Sequence, residues 1–167
     1  MRRLAAFATD WLIFAAWGAA LFGVAWWLQD GKPQWPQNPW LSQGLGFVCT
    51  TLPFGAYLAL CEASVRQATP GKRAFGLVVT SAAGRRIGPG QAIARTAVKL
   101  APWELGHLAA HHIMSAAREG SQPGAWLWAF AAGSMLLGLF YVAQVWSRSG
   151  RTLFDRVADT QVARQAI

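Results

Sequence analysis

Three long apolar runs account for much of the sequence. They cover residues 4–28, 40–61 and 125–146, and polar or basic connections separate them. A helix of about 20 apolar residues spans the roughly 30 Å hydrocarbon core of a bilayer. The pattern therefore predicts three membrane-spanning helices, and the tryptophans that border the first loop suit an interfacial aromatic belt.

Basic residues are concentrated in alternate connections. The net charge is +8. Arg2 and Arg3 precede the first run, while most other basic residues lie in the loop 66–90, in the helix that follows it, and in the tail 147–167. The positive-inside rule places such segments in the cytoplasm. We therefore expect a multi-pass protein of a bacterial-type inner (plasma) membrane, with both termini cytoplasmic and no nucleic-acid partner.

Segment 91–118 is less apolar than the three runs, yet the charge pattern requires it to cross. With both ends on one side, the number of crossings must be even. The first part of the segment, with Arg95 and Lys99, is expected to lie at the interface, and Pro102 permits a bend into the membrane. A re-entrant or surface-lying helix is the alternative, and it would leave the two ends on opposite sides.

The loop 66–90 has the composition of a soluble protein. Thr69-Pro70-Gly71-Lys72 indicates a turn, residues 74–80 favour a short strand, and residues 85–87 could pair back after a turn at 82–84. The predicted fold is an all-α membrane protein, a single domain over residues 1–167. It is expected to be a four-helix transmembrane bundle with a small cytoplasmic β-hairpin between helices 2 and 3.

Acidic residues inside the apolar runs need partners, because a carboxylate in a bilayer costs about 2.5–3.5 kcal/mol on insertion scales. Arg3 and Asp10 lie two helical turns apart, so they are expected to pair across one face. Glu62 and Arg66 have the spacing of an i, i+4 pair. Alternatively, Asp10, Glu62 and Glu104 form a polar layer under the cytoplasmic interface and bind ions or protons.

All three histidines of the chain fall within residues 107–112. Glu104, His107 and His111 follow i, i+3, i+7 spacing, which places them on one helix face, while His112 points elsewhere. Carboxylate and imidazole ligands suit a divalent transition metal such as zinc, iron or nickel. Proton carriage and hydrogen bonds between helices are the alternatives. No complete catalytic set is visible, so an enzyme is the least favoured class.

Short motifs recur at intervals along the chain. They are Arg3-x-x-Ala6-x-x-x-Asp10, Ala68-Thr69-Pro70-Gly71-Lys72-Arg73-x-x-Gly76-Leu77-x-Val79, Gly84-x-Arg86 before a helix carrying Arg95, and Arg151-Thr152-Leu153-Phe154-Asp155 with Thr160-x-Val162. In these motifs the chain resembles the RDD family of small membrane proteins over nearly its whole length. The family is named for one arginine and two aspartates, which correspond by position to Arg3, Asp10 and Asp155.

The resemblance also has consequences for function. Family members often carry an acidic residue in the hairpin, where this chain has residues 80–83 without one. Transport, including sodium–proton exchange, has been suggested for some members. We therefore expect transport of a small cation or proton-coupled exchange through the membrane acids, in a homo-oligomer packed at Gly133 and Gly138. The alternative is a non-catalytic adaptor whose basic loop and tail, including Lys72 and Arg73, bind anionic lipid heads or a cytoplasmic partner.

Overall fold

Helices account for most of the chain, and two short strands complete it. The computed structural model describes residues 2–147 and 150–165, so Arg148 of the basic tail lies outside the described residues. In chain order the elements are α1 (Arg2–Leu28), α2 (Pro39–Gly46), a π-helical segment (Phe47–Thr51), α3 (Leu52–Ala63), α4 (Pro70–Ala74), β1 (Leu77–Ser81), α5 (Pro89–Arg118), α6 (Ala125–Gln144), α7 (Leu153–Val157) and β2 (Thr160–Arg164).

Three segments of the described residues are long and apolar enough to cross a membrane: α1, the continuous helix Pro39–Ala63, and α6. The three apolar runs of the sequence are therefore confirmed as helices. The second begins sharply because Pro39 occupies its first turn and the Asn38 side chain accepts hydrogen bonds from the backbone N–H groups of Trp40 and Leu41, at 2.9 and 3.1 Å.

The chain divides into two compact units. The sheet unit consists of Met1–Ala16, Phe54–Lys99 and Tyr141–Ile167. The histidine unit consists of Trp17–Pro53 and Leu100–Phe140. In the sheet unit, a core cluster of Val79, Ile87 and Ala92 packs against partly buried apolar neighbours.

The β-sheet differs from the predicted hairpin. Strand β1 pairs antiparallel with β2, from Leu77 opposite Arg164 to Ser81 opposite Thr160. The expected partner at residues 85–87 contributes one isolated bridge, between Thr80 and Arg86. This local return is short because Gly88-Pro89 follows it, and proline has no N–H to extend a ladder. The hairpin prediction is therefore wrong in its partner, which lies in the segment predicted only as a tail.

Helix α5 runs without a break through Pro102. A proline at this position removes the N–H that would bond to the carbonyl of Val98, four residues earlier. The hydroxyl of Tyr141 donates to that carbonyl at 2.8 Å. The segment predicted around Pro102 thus forms one helix, in which a side chain from α6 replaces the missing backbone donor.

Candidate functional site

A fully buried carboxylate, that of Glu62, lies at the centre of the sheet unit and is 0% exposed. Its oxygens accept from three cations: Lys72 Nζ at 2.9 Å, Arg95 Nε at 2.8 Å and Lys99 Nζ at 3.5 Å. The expected partner Arg66 takes no part, so the predicted i, i+4 pair is wrong. Glu62 is the one acidic residue of α3, while its partners come from α4 and α5.

Arg95 connects Glu62 to a second buried carboxylate. Its Nη1 donates to Asp155 Oδ1 and, at 2.9 Å, to Thr160 Oγ1. Asp155 Oδ2 accepts from the backbone N–H and the hydroxyl of Thr152, at 2.9 and 2.7 Å. The bond from the N–H is one half of the capping box that begins α7. Burial alone would raise the pKa of Asp155, but the charge of Arg95 and the two bonds from Thr152 hold that pKa below its ordinary value.

Asp10 has neutral partners only, among the described residues. Its carboxylate accepts from the hydroxyl of Tyr57 at 2.9 Å, the hydroxyl of Thr69 at 2.6 Å and the backbone N–H of Gly71 at 3.0 Å. A Cβ atom at Gly71 would stand 2.3 Å from the Ala6 carbonyl oxygen. The Thr-Pro-Gly-Lys motif is therefore a docking element that seats α4 directly against the buried carboxylate of α1.

Arg3 does not pair with Asp10, so that prediction is wrong. The guanidinium donates instead to the carbonyl oxygens of Gly150 and, at 2.6 Å, Val162. It therefore joins the start of α1 to the segment around α7 and β2. Asp10 is directed toward Thr69 and Gly71, which supply three neutral donors together with Tyr57.

The two adjacent cations of the motif have different environments. Lys72 is buried and faces Glu62, which contradicts its predicted contact with lipid heads. Arg73 is exposed, so it remains available for that contact. Lys72 Nζ also lies 3.5 Å from Thr69 Oγ1, and through this hydroxyl the surroundings of Asp10 and Glu62 meet. Two of the three acids predicted to form a polar layer are thus linked, whereas Glu104 belongs to the histidine unit.

A cavity of about 130 Å³ lies beside this network in the sheet unit. Charged groups line one part of it, and apolar side chains line the rest. The charged lining residues are Arg3, Asp10, Lys72, Arg95, Lys99 and Asp155. The apolar ones include Leu4, Phe7, Phe54, Leu58, Val142 and Val145.

In the histidine unit, α5 presents a row of ionisable side chains. Glu104 Oε1 accepts from the hydroxyl of Thr51 and lies 3.8 Å from His107 Nδ1. The rings of His107 and His111 have their centroids 5.9 Å apart, and His111 Nδ1 lies 3.0 Å from the hydroxyl of Ser42. The predicted shared face of Glu104, His107 and His111 is therefore formed.

Two further features surround this row. Thr51 ends the π-helical segment and also accepts a hydrogen bond from the indole of Trp103 at 3.1 Å. Such π-helical segments are frequent at functional sites because they redirect side chains. His112 faces away, against the rings of Trp40 and Trp126 at 4.4 and 5.9 Å, as its position on the helix predicts.

The predicted metal site is not formed. Within residues 2–147 and 150–165, no three His, Cys, Asp or Glu side chains approach closely enough to hold a metal ion. The reason is geometric: i and i+7 positions lie about 10 Å apart along a helix axis. Glu104 and His111 therefore contact different neighbours, Thr51 and Ser42.

Several residues of the site were not predicted to contact a charge, although Thr69, Thr152 and Thr160 belong to the sequence motifs. Tyr57, Thr69, Thr152 and Thr160 each donate or accept at a buried charge. A signal existed for one of them: Thr152-x-x-Asp155 has the spacing of a capping box. The role of Tyr57 has no such local signal, because its partner Asp10 belongs to another helix.

Comparison with protein families supports the motif-based resemblance. The model of the RDD family matches residues 1–159. Comparison with curated proteins gave no match, and neither did comparison with solved structures.

Proposed function

The chain belongs to the RDD family of membrane proteins, and on that premise we propose that it exchanges a small cation for protons across the membrane. The observation that carries this proposal is the row formed by Glu104, His107 and His111 on α5. A transported proton must be bound and released near neutral pH, and imidazole is the side chain whose ordinary pKa suits this task. Ionisable groups inside membrane proteins are also costly, which favours a role for them.

The transport path requires α5 to cross the membrane, and the sheet supports that topology. Strands β1 and β2 are hydrogen-bonded to each other, so they lie on the same side. An even number of crossings must therefore separate them. The only candidate span found between them within the described residues is α6, so we infer that α5 crosses as well. Arg3 donates to Val162, which adds the start of α1 to that side. We infer four crossings with both ends cytoplasmic, where the positive-inside rule puts the basic segments.

Contacts along the row support proton movement. Glu104 and His107 are within 3.8 Å, and the stacked rings of His107 and His111 follow. Ser42 then provides a hydroxyl beside His111. The side chains of Glu104 and His107 are 25% and 32% exposed, so neither is fully enclosed by the protein. A separation of 3.8 Å exceeds a direct hydrogen bond, so in this proposal a bridging water carries the proton between them.

Asp10 and Glu62 are assigned a positioning role in this proposal. Glu62 is held by three cations, and a carboxylate so neutralised has little tendency to bind another. Asp10 accepts three hydrogen bonds from groups that anchor α4. Glu104 instead has one hydroxyl donor and a titratable neighbour, so it is the carboxylate best suited to exchange partners.

Ion flux in proteoliposomes tests the proposal. Wild-type protein should dissipate an imposed pH gradient when sodium or potassium is added on the opposite side. Glu104→Gln and His107→Gln should each reduce the initial rate about tenfold or more, within the range of single general acid–base groups. The matched controls are Glu119→Gln, at an exposed position just after the end of α5, and His112→Gln, which faces the tryptophans.

Two results would contradict cation exchange. One is wild-type protein that moves no protons under sodium, potassium or pH gradients. The other is equal loss of flux in His107→Gln and His112→Gln, because that would indicate general disturbance of α5. Folding of each variant is checked by its elution volume and circular dichroism in detergent.

A second candidate function, a membrane adaptor, has its own supporting observation. A polar groove of about 1040 Å³ lies beside the sheet in the sheet unit, and Arg66, Arg73 and Arg164 line it. Basic residues near a bilayer attract anionic lipid heads at about 1 kcal/mol each.

The test compares the wild type with the variant Arg66→Gln/Arg73→Gln/Arg164→Gln. Co-sedimentation with vesicles is unsuitable, because a protein inserted in the membrane sediments with it whether or not the groove binds. A test therefore uses the wild-type and variant proteins in detergent, with an acidic peptide as the titrated partner. Peptide binding that the variant loses, in a wild-type protein that moves no ions, would favour the adaptor.

A further inference from the structure

The cavity of the sheet unit carries an imbalance of charge. Four cations line it, those of Arg3, Lys72, Arg95 and Lys99. Among the described residues, the carboxylates that line or contact this set are those of Asp10, Asp155 and Glu62. With every group in its ionised form, one positive charge remains uncompensated. Charge excess in a poorly hydrated site is costly, and one bound anion would remove it.

The excess is located at two side chains. Arg3 is partly buried, yet its hydrogen bonds go to the carbonyl oxygens of Gly150 and Val162. Lys99 has a side chain only 13% exposed, and its contact with Glu62 is long, at 3.5 Å. That carboxylate already accepts closer bonds from Lys72 and Arg95. Arg3 and Lys99 therefore have donor capacity that the protein's own acids do not satisfy, and both residues line the cavity.

The remaining wall of the cavity is apolar. Leu4 and Phe7 of α1, Leu58 of α3, and Val142 of α6 all line it. Phe7 is 49% exposed and Val142 is 42% exposed, so this wall continues onto outward faces of two candidate spans. A ligand suited to the whole cavity thus has a charged end at the cations and an apolar portion along these helices.

We propose that this cavity binds the anionic head of an amphiphile, a phosphate or carboxylate group that carries an apolar chain. Guanidinium and ammonium donors form strong charge-assisted hydrogen bonds with such oxygens. The volume of about 130 Å³ is close to that of an engineered cavity of about 150 Å³ that accepts benzene, so a head group and the first methylenes fit. The site is separate from the row on α5 and does not depend on ion exchange.

The test is binding to detergent-purified protein, measured by native mass spectrometry and by the shift in thermal stability. Three probes distinguish the sources of the anion: phosphatidylglycerol, phosphatidylcholine and inorganic phosphate. We expect phosphatidylglycerol to bind and raise the melting temperature, and phosphatidylcholine to do neither. If inorganic phosphate binds as tightly as phosphatidylglycerol, the apolar chain contributes nothing and the proposed amphiphile is wrong. The same cations would then bind a soluble anion.

Variants tie the binding to the cavity. Lys99→Gln and Arg3→Gln should each weaken phosphatidylglycerol binding about tenfold or more, as expected for loss of a charge-assisted bond. Arg85→Gln removes the same charge from an exposed position and should leave binding unchanged. Val145→Phe fills the apolar part and should weaken binding of the lipid more than binding of phosphate.

Two outcomes overturn the proposal. The first is the absence of saturable binding for both phosphatidylglycerol and phosphate. The second is binding that Lys99→Gln, Val145→Phe and Arg85→Gln change equally. If Arg3→Gln does not fold, Lys99→Arg replaces it as the second variant. Because the charge is retained, Lys99→Arg should bind phosphatidylglycerol to within about threefold of the wild type. A loss of binding equal to that of Lys99→Gln would contradict the electrostatic assignment.

Discussion

Arg95 and Asp155 form an ion pair in which both side chains are 1% exposed, and this pair joins helix α5 to the segment that follows α6. The same guanidinium donates to Glu62, which brings α3 into the contact. A charged group so deeply buried depends on its partners, because each partner removed leaves an uncompensated charge. Arg95 therefore compensates two buried carboxylates of the sheet unit, those of Glu62 and Asp155.

Replacing Arg95 by Gln should destabilise the protein strongly. The substitution leaves Glu62 and Asp155 buried without their shared partner, a change that typically costs about 3–5 kcal/mol. Thermal unfolding in detergent measures it, with Arg85→Gln as the exposed control. A melting temperature equal to that of the control would refute the role assigned to Arg95.

Acid should weaken the protein in a way that depends on Asp155. Its pKa is held below the ordinary value of 3.8, so the folded form binds the proton less readily than the unfolded chain. The resulting stability is present above pH 3.8 and is lost as the pH falls toward the lowered folded pKa. As the pH is lowered below that value, the melting temperature of Asp155→Asn should fall by less than the melting temperature of the wild type. Asp159→Asn, at a side chain 71% exposed, should behave as wild type does.

Gly71→Ala should prevent close seating of α4 on α1. The added Cβ would stand 2.3 Å from the Ala6 carbonyl oxygen and 2.8 Å from Asp10 Oδ1, so the backbone must shift. Overpacking of this kind costs about 1–3 kcal/mol or more. The matched control is Gly90→Ala, where nothing lies within 4 Å of the new Cβ. Equal melting temperatures for the two variants would contradict the docking role of the motif.

Tyr141 and Pro102 should be energetically coupled. Tyr141→Phe leaves the Val98 carbonyl without the donor that replaces the missing N–H of residue 102, at a cost of about 1–3 kcal/mol. Pro102→Ala restores that N–H, so Tyr141→Phe should cost less stability in the Pro102→Ala protein than in the wild type. A double-mutant cycle from thermal unfolding measures the coupling, for which we expect about 1 kcal/mol. Additive effects would show that Val98 is satisfied in another way.

Cysteine labelling tests the proposed topology. With Cys49 and Cys61 replaced by Ala, single cysteines are introduced at the exposed positions Gln37, Ala83 and Ser121. Four crossings place positions 37 and 121 outside and position 83 inside. A surface-lying α5 would leave position 121 on the inner side. If an impermeant reagent added outside does not label the cysteine at position 121, α5 does not cross the membrane.

The parts of the fold that depend on local pattern could be predicted from the sequence. Uninterrupted apolar composition identified the three spans, and the motif spacing identified Asp10, Lys72, Arg95 and Asp155 as residues of interest. The row on α5 followed from helical periodicity. In each case the signal lies within a few turns of one element, where sequence distance and spatial distance correspond.

Partners between distant elements could not be predicted in the same way. Glu62 is paired with Arg95 rather than with Arg66, and Arg3 with backbone carbonyls rather than with Asp10. In both cases a nearby residue of suitable charge was the only guide available from sequence. The docking of α4 decided the result, because it brings Lys72 to Glu62 and the Thr69 hydroxyl to Asp10.

The pairing of β1 with β2 also constrains how the chain is made. Strand β1 leaves the ribosome before α5 and α6, whereas β2 leaves after both, so β1 lacks its partner strand during that interval and can form only the bridge between Thr80 and Arg86. Such distant pairing closes late in folding. The sheet can therefore close only after α5 and α6 have been made, because β2 follows both helices in the chain.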